Sequence, residues 1–287
     1  MAAQDSGAYR QPSCARLRLQ ACYIFFYMLL CGMQYARQPL SLLLGYQADG
    51  MTVSELELLC QNLAQEACAL REDLTQDANG VFTLEDGLDV VLTRTQQNYT
   101  SAAQTAPVLA GAYSTPKEVT LSPLWAYTQT TGMFFPYTVE ANINTINSPM
   151  LFAATAAHEA AHQRGFMRED EANFLAWYVC RQSDRAQDRY SGAMLALIHA
   201  GNALYRADPQ AYARASAQYS DAMARDLAAH NALWDAYEGK TAEISQQVNN
   251  TYLRANNQTD GVASYGRMVD LLAAYYRSCG LFDTSAN

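Results

Sequence analysis

Apolar residues recur at every third or fourth position along most of the chain, which is the spacing of one face of an α-helix. The clearest run follows Thr52-Val53-Ser54-Glu55, a capping-box pattern in which the outer side chains bond each other's backbone N–H groups. The apolar positions of this run are Leu56, Leu59, Leu63, Ala67 and Leu70. The pattern predicts a helix that begins at the capping box.

The same spacing returns farther along the chain between prolines, glycines and other helix breakers. It predicts helices at 84–101 (capped by Thr83), 149–163, 169–182, 190–205, 208–239, 241–255 and 262–279. The stretch 111–149 differs, because its prolines, glycines, threonines and aromatic residues favour loops and short strands. Its best β segment is FFPYTVEANIN, residues 134–144. These patterns predict a mainly helical α+β fold with a small β element.

The stretch 19–36 carries no charge, and its eighteen residues are close to the minimum for a helix that crosses a bilayer. Arg10, Arg16 and Arg18 precede it and Arg37 alone follows closely, a bias that keeps the N-terminus in the cytoplasm. We therefore predict a single-pass protein of the cell membrane with its main domain outside the cytoplasm. A cleaved signal peptide and a buried or surface-packed helix are the alternatives.

Two parts of the chain follow from this interpretation. Residues 1–38 form a tail and a membrane-anchor helix, and residues 39–287 form one continuous domain without a low-complexity linker. A length of 287 residues is enough for a sizeable core.

Composition narrows the class of protein. Half of the residues are apolar and 16% are charged, which excludes a disordered chain. The net charge of −9 argues against a nucleic-acid partner, which would call for a basic face. Seven scattered cysteines without a CxxC motif indicate free thiols rather than a disulfide framework or a thiolate zinc site. Cys180 and Cys279 could pair only through the tertiary fold.

The chain has only four histidines, and two of them form the motif His158-Glu159-Ala160-Ala161-His162. On a helix, residues four apart point the same way, so both imidazoles can bind one metal ion. Neutral imidazoles suit Zn²⁺, and Glu159 can reach a metal-activated water as general base. The motif therefore predicts a mononuclear zinc site.

A third ligand is available shortly after the motif, at Glu169, Asp170 or Glu171. Glu169 is favoured, because it shares one helix face with Asn173. One of these two could bind the metal while the other hydrogen-bonds the far nitrogen of a ligand histidine. Asp170 and Glu171 would then point toward solvent or toward Arg164 and Arg168, and Glu171 stays open as a replacement for Glu169.

The segment HEAAHQRGF–REDEANFLAWYVC resembles the signature of gluzincin-type zinc metallopeptidases. More closely, it resembles a bacterial membrane-anchored family, domain of unknown function 3810. That likeness extends to YARQPL, TGMFFPYTVEANIN and RYSGAMLALIHAGNAL. The resemblance implies a zincin-like domain in which His158, His162 and Glu169 bind Zn²⁺. It also implies that Glu159 is the catalytic base and that Asn173 is the partner of a ligand histidine.

A zinc hydrolase also needs a group that stabilises the oxyanion. Tyr190, His199 and Asn202 lie on the helix after the third-ligand helix and are the candidates. The function expected from sequence is therefore hydrolysis of peptide bonds, with a peptide or protein as substrate. A zinc amidase or hydrolase acting on a non-peptide component of the cell envelope is one alternative. A non-catalytic membrane protein with a structural zinc site is the other.

Overall fold

Helices make up most of the protein, which is known here as a computed structural model describing residues 14–47, 50–255 and 265–282. Two short 3₁₀ helices, Gly32–Ala36 and Pro107–Leu109, accompany the α-helices. The α-helices are α1 (Cys14–Leu30), α2 (Leu40–Leu44), α3 (Val53–Arg71), α4 (Leu88–Ala102), α5 (Ser122–Ala126), α6 (Pro149–Gln163), α7 (Glu169–Arg181), α8 (Ala186–Ala207), α9 (Pro209–Ser216), α10 (Asp221–Asp235), α11 (Lys240–Ala255) and α12 (Tyr265–Ser278).

A small sheet stands between α4 and α6 in the chain. Its strands are β1 (Lys117–Glu118), β2 (Gly132–Phe135) and β3 (Glu140–Ile143), in the order β1-β3-β2. β2 runs antiparallel to β3 and β1 runs parallel to it, so β2 lies at an edge of the sheet. The mainly helical α+β class predicted from sequence is confirmed.

The core centres on α6, α7 and α8, which pack against one another, while α3 packs on α8. Small side chains let α6 enter this core, since its surface would otherwise hold neighbouring helices apart. The alanines of α6 that are buried are Ala153, Ala154, Ala156, Ala157, Ala160 and Ala161. Tyr99 of α4 donates its hydroxyl to the carbonyl of Ala157 at 2.8 Å, which ties α4 to the middle of α6.

The predicted start of α3 is confirmed and the predicted start of α4 is wrong. The Thr52 side chain accepts from Glu55 N–H at 3.2 Å, and Glu55 accepts from Thr52 N–H at 2.8 Å. By contrast, α4 begins at Leu88 with Gly87 before it, and Thr83 caps nothing. Thr83 instead donates its N–H to the Thr75 carbonyl at 3.1 Å, within the segment that connects α3 to α4.

The predicted helix 208–239 is two helices. Asp208 caps α9, and the Ser220 side chain accepts from Met223 N–H at 3.3 Å to begin α10. The hydroxyl of Ser220 therefore begins a second helix inside the span that was predicted to be continuous.

The β segment predicted at 134–144 is also divided, because Pro136 lacks an N–H group and begins the turn between β2 and β3. Of the last predicted helix, residues 262–264 lie outside the described residues.

The apolar stretch 19–36 is not one continuous helix. α1 ends at Leu30, and a 3₁₀ helix occupies Gly32–Ala36. Throughout the described residues, no helix has both the length and the apolar character required to cross a membrane. None of the residues of α1 is buried, and Ile24 and Phe25 are 64% and 62% exposed.

Candidate metal centre

The turn between α6 and α7 positions the site, and it has the geometry of a Schellman C-cap. Gly165 adopts a φ of +84° and donates its N–H to the carbonyl of His162 at 2.9 Å. Phe166 donates its N–H to the carbonyl of Ala161 at 3.1 Å. Since glycine adopts positive φ without steric cost, Gly165 ends α6 as its sequence position predicts. The chain reverses there, and α7 begins at Glu169 beside the last turn of α6.

His158, His162 and Glu169 converge beside this turn. The Nε2 atoms of His158 and His162 are 3.0 Å apart. Glu169 Oε2 lies 3.2 Å from His158 Nε2, and its Oε1 lies 3.6 Å from His162 Nε2. Over residues 14–47, 50–255 and 265–282, this is the one cluster of three or more His, Cys, Asp or Glu residues with ligand atoms within 4.8 Å of one another.

The spacing and the chemistry of these atoms fit one zinc ion. Zinc binds histidine nitrogen and carboxylate oxygen at ~2.0–2.2 Å, so two ligand atoms of a tetrahedral ion are about 3.3 Å apart. The separations here run from 3.0 to 3.6 Å, which small side-chain movements would bring to that value. Two imidazoles and one carboxylate are also a donor set used by catalytic zinc sites.

Hydrogen bonds to the far ring nitrogens aim both histidines at this point. His162 Nδ1 is 2.8 Å from the carbonyl oxygen of Phe166, which can only accept, so Nδ1 carries the proton and Nε2 is left with its lone pair. His158 Nδ1 is 2.9 Å from Asn173 Oδ1 and is held in the same way. Asn173 and Glu169 therefore both face His158, in agreement with their predicted common helix face.

Charge within the cluster is shared between His158 and Glu169. Burial alone would raise the pKa of Glu169, but the neighbouring His162 and the hydrogen bond with His158 lower it to about 2. Burial likewise works against protonation of His158, yet the Glu169 carboxylate raises that pKa to about 9. Burial lowers the pKa of His162. Without a metal, the cluster therefore holds one proton on His158, which a bound cation would replace.

Glu159 is buried against the β-sheet, next to the cluster. Only 5% of the residue is exposed, and burial raises its pKa to about 7. The backbone N–H of Phe134 in β2 donates to it. A Cβ atom added to Gly132, also in β2, would lie 2.6 Å from Glu159 Cγ. The start of β2 thus forms one wall of the Glu159 pocket, and a carboxylate with a pKa near neutrality suits a general base.

The segment after α1 braces the turn that holds the ligands. Arg37 donates to the carbonyl of Arg164 at 3.0 Å, and its guanidinium lies 4.0 Å from the centre of the Phe166 ring. Leu40 N–H donates to Glu171 Oε1 at 2.7 Å. These residues support the site and were not singled out by the sequence patterns. Arg37 and Leu40 belong to the YARQPL segment, which is part of the family resemblance.

The other carboxylates after the turn are not solvated. Asp170 and Glu171 are 7% and 5% exposed, so the expectation that they point toward solvent is wrong. Glu171 lies 3.6 Å from Arg168, as the other part of that expectation had it. Its bond to Leu40 gives Glu171 a structural partner, whereas Glu169 faces both histidines.

The candidates for oxyanion stabilisation lie in different places along α8. Tyr190 is fully buried and donates its hydroxyl to Asp226 at 2.6 Å, so it belongs to another cluster. Nine residues of helix place Tyr190 and His199 about 13 Å apart along the axis and on opposite faces. The charge of His158 lowers the pKa of His199, after the larger effect of burial, so His199 faces the site. Asn202 is exposed.

The cysteines are free thiols, as expected, including buried Cys180 and exposed Cys279, which therefore do not pair. Cys14, Cys22 and Cys279 are exposed, Cys68 is half-buried, and Cys31, Cys60 and Cys180 are buried.

The fold and the site define a mainly helical α+β protein with a candidate three-ligand metal centre on two adjoining helices. The chain belongs to the family described as protein of unknown function (DUF3810), whose family model matches residues 10–273. That part of the resemblance seen in the sequence is confirmed. Comparison with curated proteins and with solved structures gives no match.

Proposed function

We propose that the protein is a zinc-dependent metallopeptidase of the gluzincin type with a zincin-like domain. The observation that carries the proposal is the position of Glu159, buried beside a three-residue cluster without being one of its ligand residues. A site that only ties two helices together needs no buried carboxylate next to its ligands. Buried ionisable groups with shifted pKa values cluster at functional sites.

His158, His162 and Glu169 would hold the ion. A zinc ion bound there would act as a Lewis acid and lower the pKa of water at its open position. Within the described part of the chain the cluster offers three candidate ligand residues, which would leave that position for water or substrate.

Glu159 would accept a proton from the attacking water and pass it to the leaving amine. Both transfers need a carboxylate whose pKa lies near the working pH, and burial brings Glu159 to about 7. Phe134 N–H would orient the carboxylate during the transfers. Burial and the charge of His158 both lower the pKa of His199, so His199 lies near the cluster and is the remaining candidate for oxyanion stabilisation.

The edge position of β2 favours a peptide over a non-peptide amide. Among the described residues β2 pairs with β3 alone, so its other edge, apart from the Phe134 N–H that donates to Glu159, offers backbone groups to an extended chain. A substrate that adds a strand there would pass next to Glu159. A cell-envelope amide without a peptide backbone could use the same water activation and remains the second candidate.

We further propose that α1 attaches the protein to the cell membrane, with the catalytic domain outside the cytoplasm. Its support is the exposed apolar surface of α1 and the arginines Arg16 and Arg18 in its first turns. Flotation with lipid vesicles tests this attachment, and replacement of Ile24 and Phe25 by serine should abolish it. Flotation unchanged by the two serines would contradict it.

The zinc peptidase proposal is tested with Glu159→Gln. We expect the variant to keep the zinc of the wild type and to lose cleavage of a peptide library. Glu118→Gln, a change at an exposed carboxylate of β1, is the matched control and should cleave normally. Equal cleavage by wild type and Glu159→Gln would falsify the base assignment, and wild-type protein that does not bind zinc would overturn the metal centre.

A further inference from the structure

A cavity of about 190 Å³ lies beside the metal centre, with His162 in its lining. Apolar side chains from four separate parts of the chain supply most of its wall. They are Leu29 and Leu30 at the end of α1, Phe134 in β2, Val139 before β3, and Met167 in the turn between α6 and α7. The cavity therefore joins α1 to the two walls of the candidate active site.

The Val139 wall is held in a strained conformation. Val139 adopts a φ of +56°, which is rare for a β-branched residue. Gln163, which also lines the cavity, donates its side-chain amide to the Val139 carbonyl at 2.9 Å and to the Ser114 hydroxyl at 2.7 Å. Strained backbone persists where surrounding contacts enforce it, and such positions cluster at sites that bind ligands.

Size and polarity narrow what could occupy the cavity. Pockets that enclose a whole small ligand measure ~300–1,000 Å³, so this one suits a single side chain rather than a complete substrate. None of the described residues that line it is a carboxylate, a lysine or an arginine. A charged side chain would lose its hydration there and meet no residue of opposite charge among those that line it, whereas a large apolar one would gain burial against the five apolar residues of the wall.

We propose that this cavity is the specificity subsite for one large apolar residue next to the bond that is cut, and that α1 forms part of its wall. The proposal rests on the peptidase function proposed above. It gives the N-terminal helix a second role, because the same segment that presents an apolar surface also shapes the substrate site. The substrate class is therefore a peptide or protein with a Leu, Met or Phe residue beside the scissile bond.

Filling the cavity from α1 tests the proposal. Peptides that differ only in Leu or Ala beside the scissile bond should show at least a tenfold difference in kcat/KM with the wild type. Leu30→Trp should reduce that difference to less than threefold. Ile24→Trp, on the exposed surface of the same helix, is the matched control and should keep it.

A second variant and a binding measurement test the subsite even if Leu30→Trp fails to fold or no longer cleaves. Val139→Gly relieves the positive φ and enlarges the cavity, so it should shift the preference from Leu toward Phe. Calorimetry with two peptide hydroxamates, one with an isobutyl and one with a methyl group, reads the subsite without turnover. The isobutyl compound should bind the wild type at least tenfold more tightly.

The outcomes separate the two proposals. Cleavage without an apolar preference, equal affinity for the two hydroxamates, or a preference that neither Leu30→Trp nor Val139→Gly alters would overturn the subsite. Absence of both cleavage and hydroxamate binding in zinc-loaded wild type would overturn the peptidase function itself, and the subsite with it.

Discussion

Gly132 controls the position of Glu159, and Gly132→Ala measures how tightly the base is placed. The added Cβ would lie 2.6 Å from Glu159 Cγ, 2.7 Å from its Oε1 and 2.9 Å from its Cδ. Carbon atoms in contact prefer ~3.5–4.0 Å, so the carboxylate must move by about 1 Å. Glu159 is 5% exposed and Cγ lies close to its own helix, which leaves little room for a harmless adjustment.

A displacement of that size predicts a specific loss. Misplacement of a catalytic group by about 1 Å costs on the order of 10²-fold in rate. Because the three ligand residues do not touch the added methyl group among its nearest neighbours, zinc content should be unchanged. Gly132→Ala is therefore expected to lower kcat/KM by about 10²-fold in a protein that still holds its metal.

The assay combines kcat/KM on a cleaved peptide, zinc by elemental analysis, and a thermal unfolding curve. Gly50→Ala is the control, since a Cβ there meets nothing within 4 Å. The double variant Gly132→Ala, Glu159→Gln should be no slower than Glu159→Gln, because both changes act on one carboxylate. Cleavage within twofold of wild type would refute the reasoning, and so would a loss of zinc that matches the loss of cleavage.

Two further outcomes follow from the surroundings of the site. Asn173→Ala removes the acceptor of His158 Nδ1 and should weaken zinc binding by about 10–100-fold in competition titrations, while Asn202→Ala on exposed α8 surface should not. Glu171→Gln concerns stability: burial raises the pKa of Glu171 to about 7, so the folded protein holds this proton more tightly than the unfolded chain. In metal-free protein, the stabilisation that comes from this raised pKa should be complete below about pH 4.5 and be lost as the pH rises through 7. Glutamine can still accept from Leu40 N–H, and urea unfolding at pH 5.5 and 8 should show a smaller decline for the variant; an equal decline would contradict this assignment.

The parts of the site that lie close together in sequence could be predicted from sequence. A four-residue spacing on a helix fixes the relation of His158 to His162, and it fixes that of Glu169 to Asn173 equally well. Gly165 between the two helices gives the turn. A helix face reduces the ambiguity among the three consecutive carboxylates, because Glu171, two residues before Asn173, cannot share its face, whereas Glu169, four residues before it, does.

Boundaries that depend on distant partners could not be predicted in this way. Phe82 N–H donates at 2.7 Å to Asp226, a residue 144 positions later, so the segment before α4 has its backbone partners outside that helix. Arg71 and Tyr190 bind the same carboxylate at 2.6 Å each. Nothing in the local sequence around Thr83 or Tyr190 indicates Asp226. Local pattern therefore predicts a helix cap at Thr83 and an oxyanion role for Tyr190, and the contacts with Asp226 give these segments other partners.

Long-range packing also explains why supporting residues differ in kind from ligands. Candidate imidazole and carboxylate ligands can be recognised in a sequence because few residue types bind zinc. Gly132 matters because it has no side chain, and neither composition nor periodicity indicates that. Arg37 donates to the carbonyl of Arg164, a residue 127 positions later in the sequence. Its contact with the turn between α6 and α7 joins the segment after α1 to the candidate metal centre. Mutations of the N-terminal segment are therefore expected to alter zinc binding and substrate choice as well as membrane attachment, and those three measurements distinguish an anchor from a part of the enzyme.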